Sequence, residues 1–190
     1  MNDNSLFEMA PLRFRSLETI RIYITENCNS NCKNCFNKGH RTEKEIPPII
    51  FEELCKWLSS NNISKLKIMG GEPTVHTEFE KIFEISTKYF DKLFVFTNGR
   101  LDKFHNLNWR DNDTLVFNFN FNKFFNEQTL CVDRSFFKRF EVQVTAYANE
   151  RKILKRLLEL CSLDREKMNV SLTLDSTENI FNKRDDLQKK

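Results

Sequence analysis

The stretch IRIYITENCNSNCKNCF, residues 20–36, contains a strand and the loop that leaves it. Ile20, Ile22 and Ile24 alternate with Arg21, Tyr23 and Thr25, the period-two pattern of a strand with one apolar face. Cys28, Cys32 and Cys35 follow at C-x3-C-x2-C spacing, separated by Asn29, Ser30, Asn31, Lys33 and Asn34. Half of the chain's six cysteines therefore fall in one polar loop. Soft thiolates this close in sequence can converge on one centre, and the candidates are an iron–sulfur cluster or zinc. For zinc, His40 stands five residues beyond Cys35 and would complete a Cys3His tetrahedron. For a cubane iron–sulfur cluster, three cysteines leave one iron with an open position, as a catalytic cluster needs.

Outward from this loop, strands and helices alternate. PIIFEELCKWLSS sets Phe51, Leu54, Cys55 and Leu58 at helical spacing, with Pro47 and Pro48 at its entry. KLKIM (65–69) reads as a second strand that ends in GGEP, and HTEFEKIFEISTKYF (76–90) as a helix with Phe79, Ile82 and Phe83 on one side. KLFVFT (92–97) is a third strand ending in Asn98–Gly99. Residues 100–112 are polar and poorly patterned. TLVFNFNF (114–121), FEVQVTAY (140–147) and NVSLTLD (169–175) read as strands four to six, with helices expected within 123–139 and from Asn149 onward. Six β units joined by helices argue for parallel strands in an α/β fold. A closed eight-stranded barrel needs about 200–250 residues, so the choice lies between a partial barrel and an open sheet.

Composition narrows the function classes. With 39% hydrophobic and 30% charged residues the chain reads as globular, and a net charge of +3 makes no case for nucleic acid or membrane partners. No apolar run approaches the roughly 18 residues of a membrane span. MNDNSLFEMAPLRF has no apolar core of a signal peptide, which points to a reducing, cytoplasmic setting where clustered cysteines mean metal or redox chemistry. Glycine marks the special loops: of only four, Gly70, Gly71 and Gly99 end apolar runs. Cys55 and Cys161 lie on apolar helix stripes and read as core, and Cys131 as structural.

CNSNCKNCF after a first strand, MGGEPTVHTEF after a second and FTNG after a third resemble the radical S-adenosylmethionine (radical SAM) superfamily. The likeness is close over residues 18–100 and looser to 176. It implies a (β/α)6 partial TIM-like barrel of parallel strands, with an N-terminal extension at 1–18, the core domain at 19–176 and a polar tail at 177–190. Either the protein is a minimal member or the natural chain continues past that tail. The resemblance further implies that Cys28, Cys32 and Cys35 bind three irons of a 4Fe–4S cluster, and that S-adenosylmethionine chelates the fourth. One-electron reduction would then yield methionine and a 5′-deoxyadenosyl radical that abstracts hydrogen from a peptide or small-molecule substrate. A flavodoxin- or ferredoxin-type protein is the electron donor implied, and the site must exclude oxygen.

In the same reading Gly70, Gly71, Glu72 and Pro73 hold the amino end of the cofactor. Glu72 offers an acceptor for the methionyl ammonium, and Thr97 and Asn98 reach the cofactor from the third strand. The family commonly has an aromatic residue just before the third cysteine. Asn34 stands there in this chain, and Phe36, just after Cys35, is the substitute for stacking on adenine. On the fourth strand Phe117, Phe119 and Phe121 alternate with Asn118 and Asn120, and on the fifth Gln143 and Thr145 with Val142 and Val144. The polar phase is expected to line the cavity, with Asn118 or Asn120 touching the cofactor. The competing arrangement is a polar outer face under charged helices. His76 is expected to open or cap the helix after GGEPT. Two other function classes stand beside the radical enzyme: an activase that installs a glycyl radical on a partner protein, and a non-enzymatic Cys3His zinc module.

Overall fold

The computed structural model describes residues 17–31, 35, 37, 39, 41–101, 103–120, 140–146 and 168–174. Six strands, β1 (Thr19–Tyr23), β2 (Lys65–Met69), β3 (Lys92–Thr97), β4 (Thr114–Asn120), β5 (Phe140–Ala146) and β6 (Met168–Leu174), form one sheet in chain order. Every neighbouring pair is parallel. The fold is α/β, a partial TIM-like barrel with β1 and β6 at its edges. The helices expected within 123–139 and after Asn149 lie outside the described residues.

Helix α1 (Pro48–Ser60) starts where Pro47 holds φ at −61° and Pro48 occupies the first turn, where no backbone donor is needed. It buries Phe51, Cys55 and Leu58, one stripe at helical spacing. Asn62 ends it at φ 65°, and the Ile63 N–H returns 3.2 Å to the Leu58 carbonyl. Helix α2 (Phe79–Tyr89) buries Phe79, Ile82, Phe83 and Ile85. Both helices pack on the sheet face that carries Leu66, Ile68, Leu93, Val95, Leu115 and Phe117. Burying a side chain of this size contributes about 1.5–3 kcal/mol, so this single layer holds most of the described fold together.

Between β3 and β4 the described residues form no helix, in keeping with their weak pattern. Phe104, Leu107 and Trp109 instead fold back on α2, with Phe83 and Trp109 ring centroids 4.9 Å apart. Asp113 anchors the return: one oxygen accepts the Leu93 N–H at 2.9 Å, and the Arg110 guanidinium grips both oxygens at 2.9 and 3.0 Å. Arg110 also donates to the Phe90 carbonyl at 2.7 Å, so one side chain joins the end of α2 to the start of β4.

The opposite sheet face has a different character. Arg21, Lys67, Phe94 and Thr114 stand in one register row, and Thr19, Lys65 and Lys92 in the row below. Barrel interiors are usually layers of branched apolar side chains; this one carries four cations on its first three strands.

Candidate active site

The cysteine loop rises from a closed base. Past β1 the chain makes a single antiparallel bridge, Thr25 to Glu45, with the Ile46 N–H 2.9 Å from the Ile24 carbonyl and the Glu26 N–H 3.0 Å from the Lys44 carbonyl. Residues 26–44 therefore leave and rejoin the fold at one place. Within the loop, Asn27 Oδ1 accepts the Cys28 N–H at 2.8 Å, Arg41 donates to the Ser30 carbonyl, and Thr42 bonds Glu26. Cys28 and Cys35 are each partly exposed. Cys32, Asn34, Phe36 and His40 lie outside the described residues. Among the described residues no three His, Cys, Asp or Glu side chains gather at metal-binding distance.

The GGEP loop runs directly beside this base. The Gly71 N–H donates to the Thr25 carbonyl at 2.8 Å and the Glu72 N–H to the Asn27 carbonyl at 2.9 Å. A Cβ on Gly70 would sit 2.7 Å from the Thr25 oxygen, and one on Gly71 only 2.2 Å from the Asn27 oxygen. The glycines thus admit the cysteine loop's own backbone. Gly99 has φ 70° and makes the turn after β3.

Glu72 is 1% exposed and its carboxylate is surrounded by donors. Oε1 accepts from the Thr74 N–H at 3.3 Å, Thr74 Oγ1 at 2.7 Å and Thr97 Oγ1 at 2.7 Å, and Oε2 from the Asn98 N–H at 2.7 Å. Burial pushes this carboxyl above the ordinary carboxylate range, against the pull of the Asn98, Thr74 and Thr97 hydrogen bonds. The Glu72 carboxylate and the Thr97 hydroxyl, both read from the sequence as cofactor contacts, are also partners of each other. The reason is packing: both sit under the loop tips, where an unpartnered carboxylate would be costly.

Asn98 spans the remaining gap. Its Nδ2 donates to Asn29 Oδ1 at 2.8 Å and Ser30 Oγ at 3.0 Å and lies 4.0 Å from Cys28 Sγ. Arg100 supports the same loop, donating from Nη1 to the Asn29 carbonyl at 2.8 Å. His76, 1% exposed, stands at the opening of α2, where its carbonyl accepts the Phe79 N–H at 3.3 Å. It closes the short turn Pro73–Val75, Nδ1 accepts the Glu78 N–H at 3.0 Å, and Nε2 lies 3.0 Å from the Ile46 carbonyl. The ring thereby ties the return arm of the cysteine loop to the start of α2.

On β4, Phe117 is 1% exposed within the helix-side core. Asn118 pairs in register with Gln143 and Ser171, and Asn120 with Thr145 and Thr173, so these positions form two rows on the other phase of the sheet. The side chains of Asn118, Asn120, Gln143 and Thr145 lie outside the described residues. Sequence reasoning missed the cationic rows, although IRIYIT and KLKIM displayed them as the polar phase of their own alternation.

A model of the radical SAM superfamily matches residues 22–120, more than half of the chain. A probable GTP 3′,8-cyclase of Methanothermobacter marburgensis is 33% identical over 89 residues, 46% of this chain and 29% of that protein. A probable GTP 3′,8-cyclase of Methanococcus aeolicus is 31% identical over 99 residues, 49% of this chain and 33% of that one. The matched part of the chain spans no more than about a third of the length of either curated relative. Among solved structures, Streptococcus suis SuiB bound to its precursor peptide SuiA superimposes with a TM-score of 0.65 at 16% identity, over 82% of this chain and 39% of that one. SuiB bound to S-adenosylmethionine fits equally, with a TM-score of 0.65. At that identity the likeness is one of fold.

Proposed function

The chain belongs to the radical SAM superfamily, and on that footing we propose that it cleaves S-adenosylmethionine reductively at a 4Fe–4S cluster held by Cys28, Cys32 and Cys35. The donor set fits such a group. The two described loop thiols are partly exposed, whereas burial pushes the Cys55 thiol up to about 12, where it is no ligand. When bound, the cluster supplies one electron and S-adenosylmethionine supplies the 5′-deoxyadenosyl radical that takes hydrogen from the substrate. The observation that carries the reading is the contact of the GGEP backbone with the cysteine loop, so close that Gly71 has no room for a Cβ. A ligand held by Gly70, Gly71, Glu72 and Pro73 would thereby sit beside the loop that carries the cysteines.

The chain's own residues then have distinct tasks. The backbone of Gly70–Pro73 holds the methionyl end, and the Glu72 carboxylate keeps that backbone in shape. Thr97 and Asn98 close the flank beside β3. Phe36 stacks on adenine, and Asn118 or Asn120 meets the ribose. Reduction comes from a flavodoxin- or ferredoxin-type donor.

For the substrate we infer a small phosphate-bearing molecule. Arg21 and Lys67 are register neighbours on the sheet face away from the helices, and no described carboxylate pairs with either. Like charges side by side on neighbouring strands destabilise a sheet, so an anion on this wall would relieve a cost the fold carries. The names of the similar GTP 3′,8-cyclases agree with this class better than a peptide does.

The test is anaerobic reconstitution with iron and sulfide, reduction with dithionite, and chromatography for 5′-deoxyadenosine. A brown protein that forms 5′-deoxyadenosine and methionine is expected. A colourless protein with stoichiometric zinc and no iron would overturn the reading.

A further inference from the structure

Asn98 lies at the junction of the three loops, and its N–H and both polar side-chain atoms have partners. Its N–H goes to Glu72 at 2.7 Å, its Oδ1 accepts the Arg100 N–H at 3.1 Å, and its Nδ2 goes to Asn29 and Ser30 at 2.8 and 3.0 Å. Asn29 and Ser30 are the first two residues between Cys28 and Cys32. Nδ2 has two protons, and both point into this part of the cysteine loop. At 4.0 Å from Cys28 Sγ, the same amide presents the positive end of its dipole to a sulfur that would carry negative charge as a ligand.

We propose that Asn98 is a positioning residue for the metal centre: it holds the loop between Cys28 and Cys32 in its binding shape and raises the reduction potential of the group bound there. The inference rests on the metal reading above. The first role follows from the two short hydrogen bonds. They fix the loop from the end of β3, through a residue that Glu72 in turn fixes by its backbone. The second follows from charge. Reduction adds an electron to a centre whose sulfurs share it, so a nearby N–H dipole favours the reduced form. Removing that dipole lowers the potential.

Two variants separate these roles from general damage. Asn98→Asp keeps the shape but places a carboxylate oxygen where the donor stood, against Asn29 Oδ1 and the sulfur. Asn98→Leu removes the donor without adding charge. The reconstituted full chain is followed in three ways: thermal unfolding of the metal-free protein, iron loss to a chelator, and midpoint potential by EPR-monitored titration. Both variants should lose iron about tenfold faster, with the potential lowered, further in Asn98→Asp. Ser30→Ala, which removes one of the two acceptors, should lose iron at an intermediate rate. Iron held equally well with an unmoved potential overturns the proposal. Faster loss with an unmoved potential leaves Asn98 merely structural and overturns the claim on the potential. Absence of iron from the unsubstituted protein would instead overturn the metal reading, and Asn98's role with it.

Discussion

Glu72 Oε1 and Thr97 Oγ1 lie 2.7 Å apart, joining loops that are 25 residues apart in sequence. The bond fastens the end of β2 to the end of β3 under the cysteine loop. It makes Glu72 a part of the scaffold before any ligand binds.

The first expectation concerns that bond. Glu72→Ala leaves the partly buried Asn98 N–H and the buried Thr74 and Thr97 hydroxyls without their acceptor, each buried loss costing about 1–3 kcal/mol. Metal-free Glu72→Ala should therefore unfold at clearly lower urea than the parent, and Thr97→Val should lose about 1 kcal/mol. Unchanged stability in both metal-free variants would show that Glu72 serves a ligand alone.

Gly71 has the least room in the site. Gly71→Ala forces its Cβ against the Asn27 carbonyl, and Gly70→Ala meets the Thr25 carbonyl less severely. Overpacking of this kind costs about 1–3 kcal/mol. The order expected for both melting temperature and retained iron is Gly71→Ala lowest, Gly70→Ala next and parent highest. Gly39→Ala is the control in the cysteine loop itself, since nothing lies within 4 Å of its Cβ position. A Gly39→Ala variant as damaged as Gly71→Ala would refute the close-approach argument.

The cations of the inner wall give a binding experiment. With GTP as the probe, Arg21→Ala and Lys67→Ala should each weaken binding by about tenfold to a hundredfold, the worth of a charge-assisted hydrogen bond. Added salt should weaken binding to the parent more than to either variant. Arg21→Ala should not lose stability without ligand, because it removes one of two adjacent like charges. Equal GTP affinity in parent and variants would remove the phosphate-bearing substrate.

Cys55 supplies a pH dependence. Burial first, and the Glu52 charge second, push its thiol up to about 12 from an ordinary value of 9.0. The folded chain keeps this proton while the unfolded chain releases it, so the contribution is intact below about pH 9 and is lost as pH rises toward 12. Cys55→Val should show a shallower fall in urea midpoint across that window. In native protein at pH 8, iodoacetamide should label Cys28 and Cys35 quickly and Cys55 only on unfolding. Rapid native labelling of Cys55 would contradict its burial.

Much of this architecture could be read before the fold was seen. Alternation located β1 to β6 to within about two residues, because one face of each strand must meet the helices. CNSNCKNCF, GGEP and TNG stood out because each interrupts an apolar run with residues a strand does not need. The partnerships did not stand out. Distance in sequence hides the contact of Thr97 with Glu72 and that of His76 with Ile46, 30 residues earlier. Arg21 and Lys67 were visible, but lysine and arginine on a strand's polar phase ordinarily mean solvent. Only the register sets them side by side.

The bridge between Thr25 and Glu45 has a consequence for assembly. Drawing the two ends of a loop of this length together costs entropy that grows only slowly with its length. Here the backbone bonds of Ile24, Glu26 and Ile46 make that closure. An incoming metal has only to organise the interior of a loop whose ends already meet. On the proposed reading, cluster insertion would then be a step separate from closure of the loop.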